Sequence, residues 1–208
     1  MTLATDDPAA QHKIADEAIA KWPGVGYQVQ HFWSDYSLIQ IELYAGQADL
    51  AWARLTRVWP LLKKAMLMRV EEVVIHMTEL RGRTALGLLV QTQNRKYVRE
   101  VERAAKKLAG YAKIPWCSAS AQLLRAQLAA LRDDRATESR LLAEAATNYA
   151  TAGFAPYEIA VAIGARQTDA LQRASEWSKR EGVRNVVAMM RMLAPVYATY
   201  TRLDSQNR

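Results

Sequence analysis

A chain of 208 residues, 50% hydrophobic and 24% charged, is long enough for one sizeable domain or one short array of repeats. Its longest apolar runs, such as Ala85 to Val90, fall far short of the roughly 20 residues a membrane span requires. The opening "MTLATDDPAA" is acidic where a signal peptide would be basic and then apolar. A single cysteine, Cys117, cannot form an internal disulfide, which fits a reducing compartment, and a cytoplasmic protein is expected. The formal net charge of +7 admits an acidic partner, nucleic acid included.

Taken in chain order, the apolar spacing is helical nearly everywhere. After an N-terminal helix ending near Trp22, the segment "WPGVG" breaks the chain. The first pair of helices then meets at "AGQAD" (45 to 49), with Asp49 or a neighbour placed to cap the second helix. Leu55, Val58, Trp59 and Leu62 fall at i, i+3, i+4 and i+7, one stripe on that helix. Pro60 has no amide to donate and crowds the carbonyl of Thr56, so a bend or an end is expected there. Val70, Val73, Val74, Met77 and Leu80 form the next stripe. Val98, Val101, Ala105 and Leu108 form another, with Lys96, Arg99, Arg103 and Lys106 on other faces. Leu124, Leu128 and Leu131 follow, then Leu142, Ala145, Ala146 and Tyr149. Breaks fall at 91 to 94, 110 to 115, 132 to 135, 151 to 156 and 181 to 185, and Thr168 or Asp169 can cap "ALQRASEW". No period-2 stretch with hairpin turns is present, so the expected fold class is all-α.

Short breaks make sequence neighbours pack antiparallel, which gives successive helical hairpins, the grammar of an α-solenoid. "SLIQIELYAGQADLAWARLTRVW" and "AQLLRAQLAALRDDRATESRLLAEAATNY" share a leucine-rich first helix, a polar turn and a second helix alternating small and large apolar residues. The pattern resembles a degenerate tetratricopeptide repeat, with Leu38 before the Gly46 turn and Ala51 and Leu55 after it. The proline that ordinarily closes that repeat is not at its usual spacing. Generic pairing of α-hairpins is the simpler alternative.

The order of "ADEAIAKWP", "HFWSDYSLIQIELYAGQADLAWARLTRVWPLLKKAMLMRVEEVVIHMTELRGRTAL", "IPWCSASAQLLRAQLAALRDD" and "EGVRN" with "MRMLAP" is similar to the C-terminal helical-repeat region of large multidomain bacterial serine/threonine protein kinases. The resemblance covers residues 8 to 195 and implies a regulatory or protein-interaction tail. It leaves residues 1 to 7 as a disordered N-terminus and 196 to 208 as a helical extension or tail. That family commonly has proline after "RN", where this chain has Val186. The kinase chemistry does not carry over: no glycine-rich phosphate loop, V-A-I-K lysine, H-R-D loop or D-F-G triplet occurs.

Other chemistries find little support, and neither a catalytic residue nor a cofactor or metal ligand is assigned. His12, His31 and His76 stand far apart with no H-E-x-x-H or C-x-x-C. Cys117 with His76 forms no nucleophile signature. Glu71–Glu72 and Asp133–Asp134 suit helix starts and turns better than acid–base work. Met189, Met190 and Met192 read as a last helix closing the core, or as a soft binding patch.

A binding function has a better geometric basis. If the first helix of each pair lines the inner surface, its non-core side offers Trp33, Tyr36 and Gln40, then Glu79 and Arg83, then Gln122 and Arg125. Aromatic, amide and guanidinium groups suit a peptide or protein partner. Packing of Trp33 and Tyr36 against the N-terminal helix is the structural alternative. A second function, polyanion binding, would use Lys96, Arg99, Arg103, Lys106 and Lys107, although interleaved glutamates favour a merely solvated face.

Overall fold

The computed structural model describes residues 3–203, and every regular element among them is helical. The α-helices are α1 (Pro8–Ala20), α2 (Val29–Tyr44), α3 (Ala48–Lys64), α4 (Glu71–Thr92), α5 (Lys96–Ala109), α6 (Pro115–Leu131), α7 (Arg135–Ala152), α8 (Ala155–Gly164), α9 (Ala170–Glu181), α10 (Val186–Leu193) and the short α11 (Tyr200–Leu203). Single 3-10 turns occur at Leu3–Thr5, Leu67–Arg69 and Tyr197–Thr199. None of these helices is long and apolar enough to cross a membrane.

From α1 to α9 each helix packs on the next, and α2 also touches α4 as α4 touches α6. The first helices of the pairs thus form one layer, and their partners α3, α5 and α7 form the other. The α2–α3 turn shows why the sequence closes so tightly. Gly46 takes φ +81°, a left-handed conformation that disfavours a side chain, and Ala48, Ala51, Leu55, Val58 and Leu62 then face the core. Gln47, not Asp49, is the N-cap residue of α3; Asp49 sits in the first turn, where its charge favours the helix dipole. Side-chain caps occur elsewhere: Asp7 accepts from the Ala10 amide, Asp134 from that of Thr137, and Asn185 from that of Ala188. Asn185 therefore starts the last long helix without the proline of the resembling family.

Two local expectations are corrected. Helix α3 runs through Pro60 to Lys64, because a proline this near the C-terminus removes one hydrogen bond while Val58 and Leu62 on either side hold their buried places. The chain is re-aimed six residues later, at Met66, which adopts φ 58° before the Leu67–Arg69 turn. Of the expected disordered segment 1 to 7, Met1 and Thr2 lie outside the described residues, Leu3 and Ala4 pack against the core, and Thr5, Asp6 and Asp7 are exposed. Asp6 accepts from the Tyr44 hydroxyl at 2.8 Å and from the Asn185 amide, and the Ala4 carbonyl accepts from the Arg184 amide at 2.9 Å.

Beyond α9 the chain folds back. Helix α10 packs on α2, α4 and α8, and the turn after it packs on α8. Ala188, Met189, Met190, Met192, Leu193, Ala194, Val196, Tyr197 and Ala198 are all buried, so the methionine-rich helix closes the core. The segment from Val196 onward continues this packing as far as Ala198, and residues 204 to 208 of the expected tail lie outside the described residues.

Candidate functional site

The layer that α10 meets carries the candidate partner-binding residues, and the C-terminal segment decides which of them remain accessible. Arg83 on α4 is 1% exposed and Glu79, one turn before it, 4%. Their Nε and Oε1 atoms lie 2.6 Å apart. Arg83 Nη1 donates to the Met192 carbonyl at 2.8 Å, Nη2 reaches Gln40 Oε1 at 3.5 Å, and the Tyr157 hydroxyl donates to Glu79 at 3.1 Å. Burial alone would lower the Arg83 pKa, and the Glu79 carboxylate together with the Tyr157 and Tyr36 hydroxyls more than offsets it, so the guanidinium stays charged. On α6, Gln127 Oε1 accepts from the Val196 amide, and on α10 Arg191 donates to the Tyr44 carbonyl at the end of α2. Arg83 therefore holds the chain's own C-terminal segment, with Glu79 buried against it and the half-buried Gln40 beside its guanidinium.

Gln122 and Arg125 are also placed differently from the expectation. Gln122 donates to Glu144 and accepts from Asn148, both on α7, so it joins a helical pair instead of facing the inner surface; Arg125 is exposed. Trp33 is exposed and Tyr36 is half-buried against the core. They contact His76 of α4 with ring centroids 5.8 and 5.4 Å away.

Those two rings open a ladder that the sequence reading did not assemble. His76 stacks on Trp116 at 5.4 Å with a 26° interplanar angle, and Trp116 stacks on Phe154 at 6.0 Å and 19°. Tyr157 stacks on the buried Tyr149 at 4.9 Å just behind. Trp33, His76, Trp116 and Phe154 come from the N-terminal ends of α2, α4, α6 and α8, which form one rim of the layer. Trp33 and Phe154 are 42% and 38% exposed, and His76 and Trp116 are half-buried. The sequence signal was available: each residue opens the first helix of a pair, but only Trp33 falls in an aromatic cluster visible locally.

His76 contributes a pH dependence. Burial lowers its pKa, partly opposed by Glu79 and Glu72, the latter 3.8 Å away, and reinforced by Arg83. The folded state then prefers the neutral ring, so stability is full above the ordinary histidine value of about 6.5 and falls as pH drops below it. Denaturation midpoints compared at neutral and mildly acidic pH are expected to show this loss, and His76→Phe should reduce it.

Other chemical groups serve the structure. Burial pushes the Cys117 thiol up to about 11, aided by Glu71 and Glu79, so it stays protonated and poorly nucleophilic. Arg54 donates to Glu42 at 2.8 Å and reaches Asp35 at 3.5 Å, while Arg57 and Tyr27 also bind Asp35, tying α2, α3 and the preceding loop together. Trp52 and Trp59 enclose the Arg81 guanidinium, 4.9 and 5.0 Å from the ring centroids, and Arg81 pairs with Glu100 at 2.7 Å. Among the described residues no cluster of three or more His, Cys, Asp or Glu side chains is arranged to hold a metal ion. A cavity of about 180 Å³ beside the C-terminal segment is lined mainly by apolar groups such as Leu43, Val90, Val187 and Ala198, and its one charged lining residue is Arg191, already bound to Tyr44.

The polyanion candidates Lys96, Arg99, Arg103, Lys106 and Lys107 are all exposed on α5, in the opposite layer. No protein-family model, curated protein or solved structure matches the chain.

Proposed function

We propose that the chain is a non-catalytic recognition module, an α-solenoid of degenerate tetratricopeptide-like pairs that binds a peptide or protein segment and regulates bacterial kinase-type signalling in the cytoplasm. The observation that carries the reading is the rim of Trp33, His76, Trp116 and Phe154. Four successive first helices each place a ring there, and the rim stays open although the C-terminal segment fills the rest of the layer. Partly exposed aromatic patches supply large apolar contact area at little entropic cost, which is why such residues dominate binding hot spots. Tyr157, whose hydroxyl donates to the buried Glu79, and Tyr36, in ring contact with Trp33 and His76, support the rim from behind. The kinase setting is supported by the resemblance of residues 8 to 195.

Selection of peptides from a random library on the full chain tests the reading. Binders should perturb the nuclear magnetic resonance signals of the four rim rings and lose affinity by about tenfold or more with Trp33→Ala or Trp116→Ala, as for hot-spot truncation. A selection without binders, or binders that leave the rim signals unmoved, would refute it.

A further inference from the structure

We infer that the exposed face of α5 is a second, independent binding surface, shaped for the phosphate backbone of a nucleic-acid duplex. At 3.6 residues per turn, Lys96, Arg99, Arg103, Lys106 and Lys107 fall within an arc of about 100°, a straight stripe about 16 Å long. All five side chains are exposed. The glutamates that interleave with them in sequence lie at the edges of the stripe: Glu100 pairs with Arg81 at 2.7 Å and with the stripe's own Arg103 at 2.9 Å, and Glu102 pairs with Arg132 at 2.8 Å. Lys96, Arg99, Lys106 and Lys107 form no ion pair among the described residues, although Lys96 lies over the Tyr97 ring at 4.8 Å.

Within the stripe 96/99, 99/103, 103/106 and 103/107 are like-charged neighbours at i, i+3 and i, i+4, and the opposite charges of Glu100 and Glu102 lie at its two edges. An external line of negative charge removes that repulsion and gains counterion entropy. None of the exposed large apolar side chains of the chain belongs to α5, so the stripe lacks the wedge an interfacial helix inserts into a bilayer. It also presents no exposed aromatic ring for base stacking. The expected contact is therefore with the backbone and independent of sequence.

The test is fluorescence anisotropy of a short labelled DNA duplex titrated with the full chain at several salt concentrations. Four released contacts at roughly −0.9 each give an expected slope of log K on log salt of about −3 to −4. The triple variant Lys96→Glu, Arg99→Glu, Lys106→Glu should weaken binding by more than about tenfold at low salt, with unchanged helicity because these side chains are exposed. The charge-matched control Lys13→Glu, Lys21→Glu, Lys179→Glu, on α1, its C-cap and α9, should largely retain affinity. Absence of binding at low salt overturns the inference. So do equal losses in the two triple variants, or tighter binding to phosphatidylserine vesicles or polyglutamate than to the duplex at matched charge.

Discussion

Replacing Arg83 by methionine should destabilise the fold by about 3–5 kcal/mol, the usual result of removing one partner from a buried ion pair. Glu79 is 4% exposed and would lose the guanidinium 2.6 Å away, with only the Tyr157 hydroxyl left as donor. The Met192 carbonyl would lose its guanidinium donor at the same time. The double variant Glu79→Gln, Arg83→Met should recover much of the loss, since it removes the stranded carboxyl. Urea unfolding followed by circular dichroism measures both. A single variant within about 1 kcal/mol of the parent would mean that the pair does not fasten the C-terminal segment.

Tyr197→Ala should cost about 3–5 kcal/mol, as for other large aromatic truncations in packed cores. The ring is fully buried against Gly164 at the end of α8. A methyl group at Gly164 would lie 2.5 Å from Cε2 and 2.6 Å from Cδ2 of that ring, so Gly164→Ala must displace it, at about 1–3 kcal/mol. The two changes are therefore coupled. In the Tyr197→Ala background most of the cost of Gly164→Ala should vanish, whereas additive losses would place the ring elsewhere in solution.

What the sequence made legible follows from the range over which its signals act. The stripes Leu55, Val58, Leu62 and Val101, Ala105, Leu108 are local, and they do face the core; the all-helical fold and most breaks followed from them. The break at Met66 was not legible because it uses neither glycine nor proline, and Pro60, a visible breaker, drew the hinge to the wrong place. Glu79 and Arg83, spaced i and i+4, read as partner-binding side chains on the inner surface. Their burial depends on Met192, 109 residues further on, and nothing in local periodicity reports a contact of that range. Gln127 is similar: it is claimed by Val196, 69 residues away. Trp33 and Tyr36 were found because they lie together on α2, while His76, Trp116 and Phe154 become neighbours only through the stacking of the pairs. The basic stripe on α5 was visible but judged solvated, since the sequence does not show that Glu100 and Glu102 turn to other helices.

On the function proposed above, the C-terminal segment fills the chain's own inner layer and recognition is left to the aromatic rim. Native-state hydrogen exchange on the full chain tests it most directly. Amides of Ala188 to Ala198, including the Val196 amide bound by Gln127, should exchange as slowly as those of α4 and α6 and lose protection together with them in denaturant. Exchange of this segment at the rate of an exposed loop while α4 and α6 stay protected would show an open layer and contradict the account.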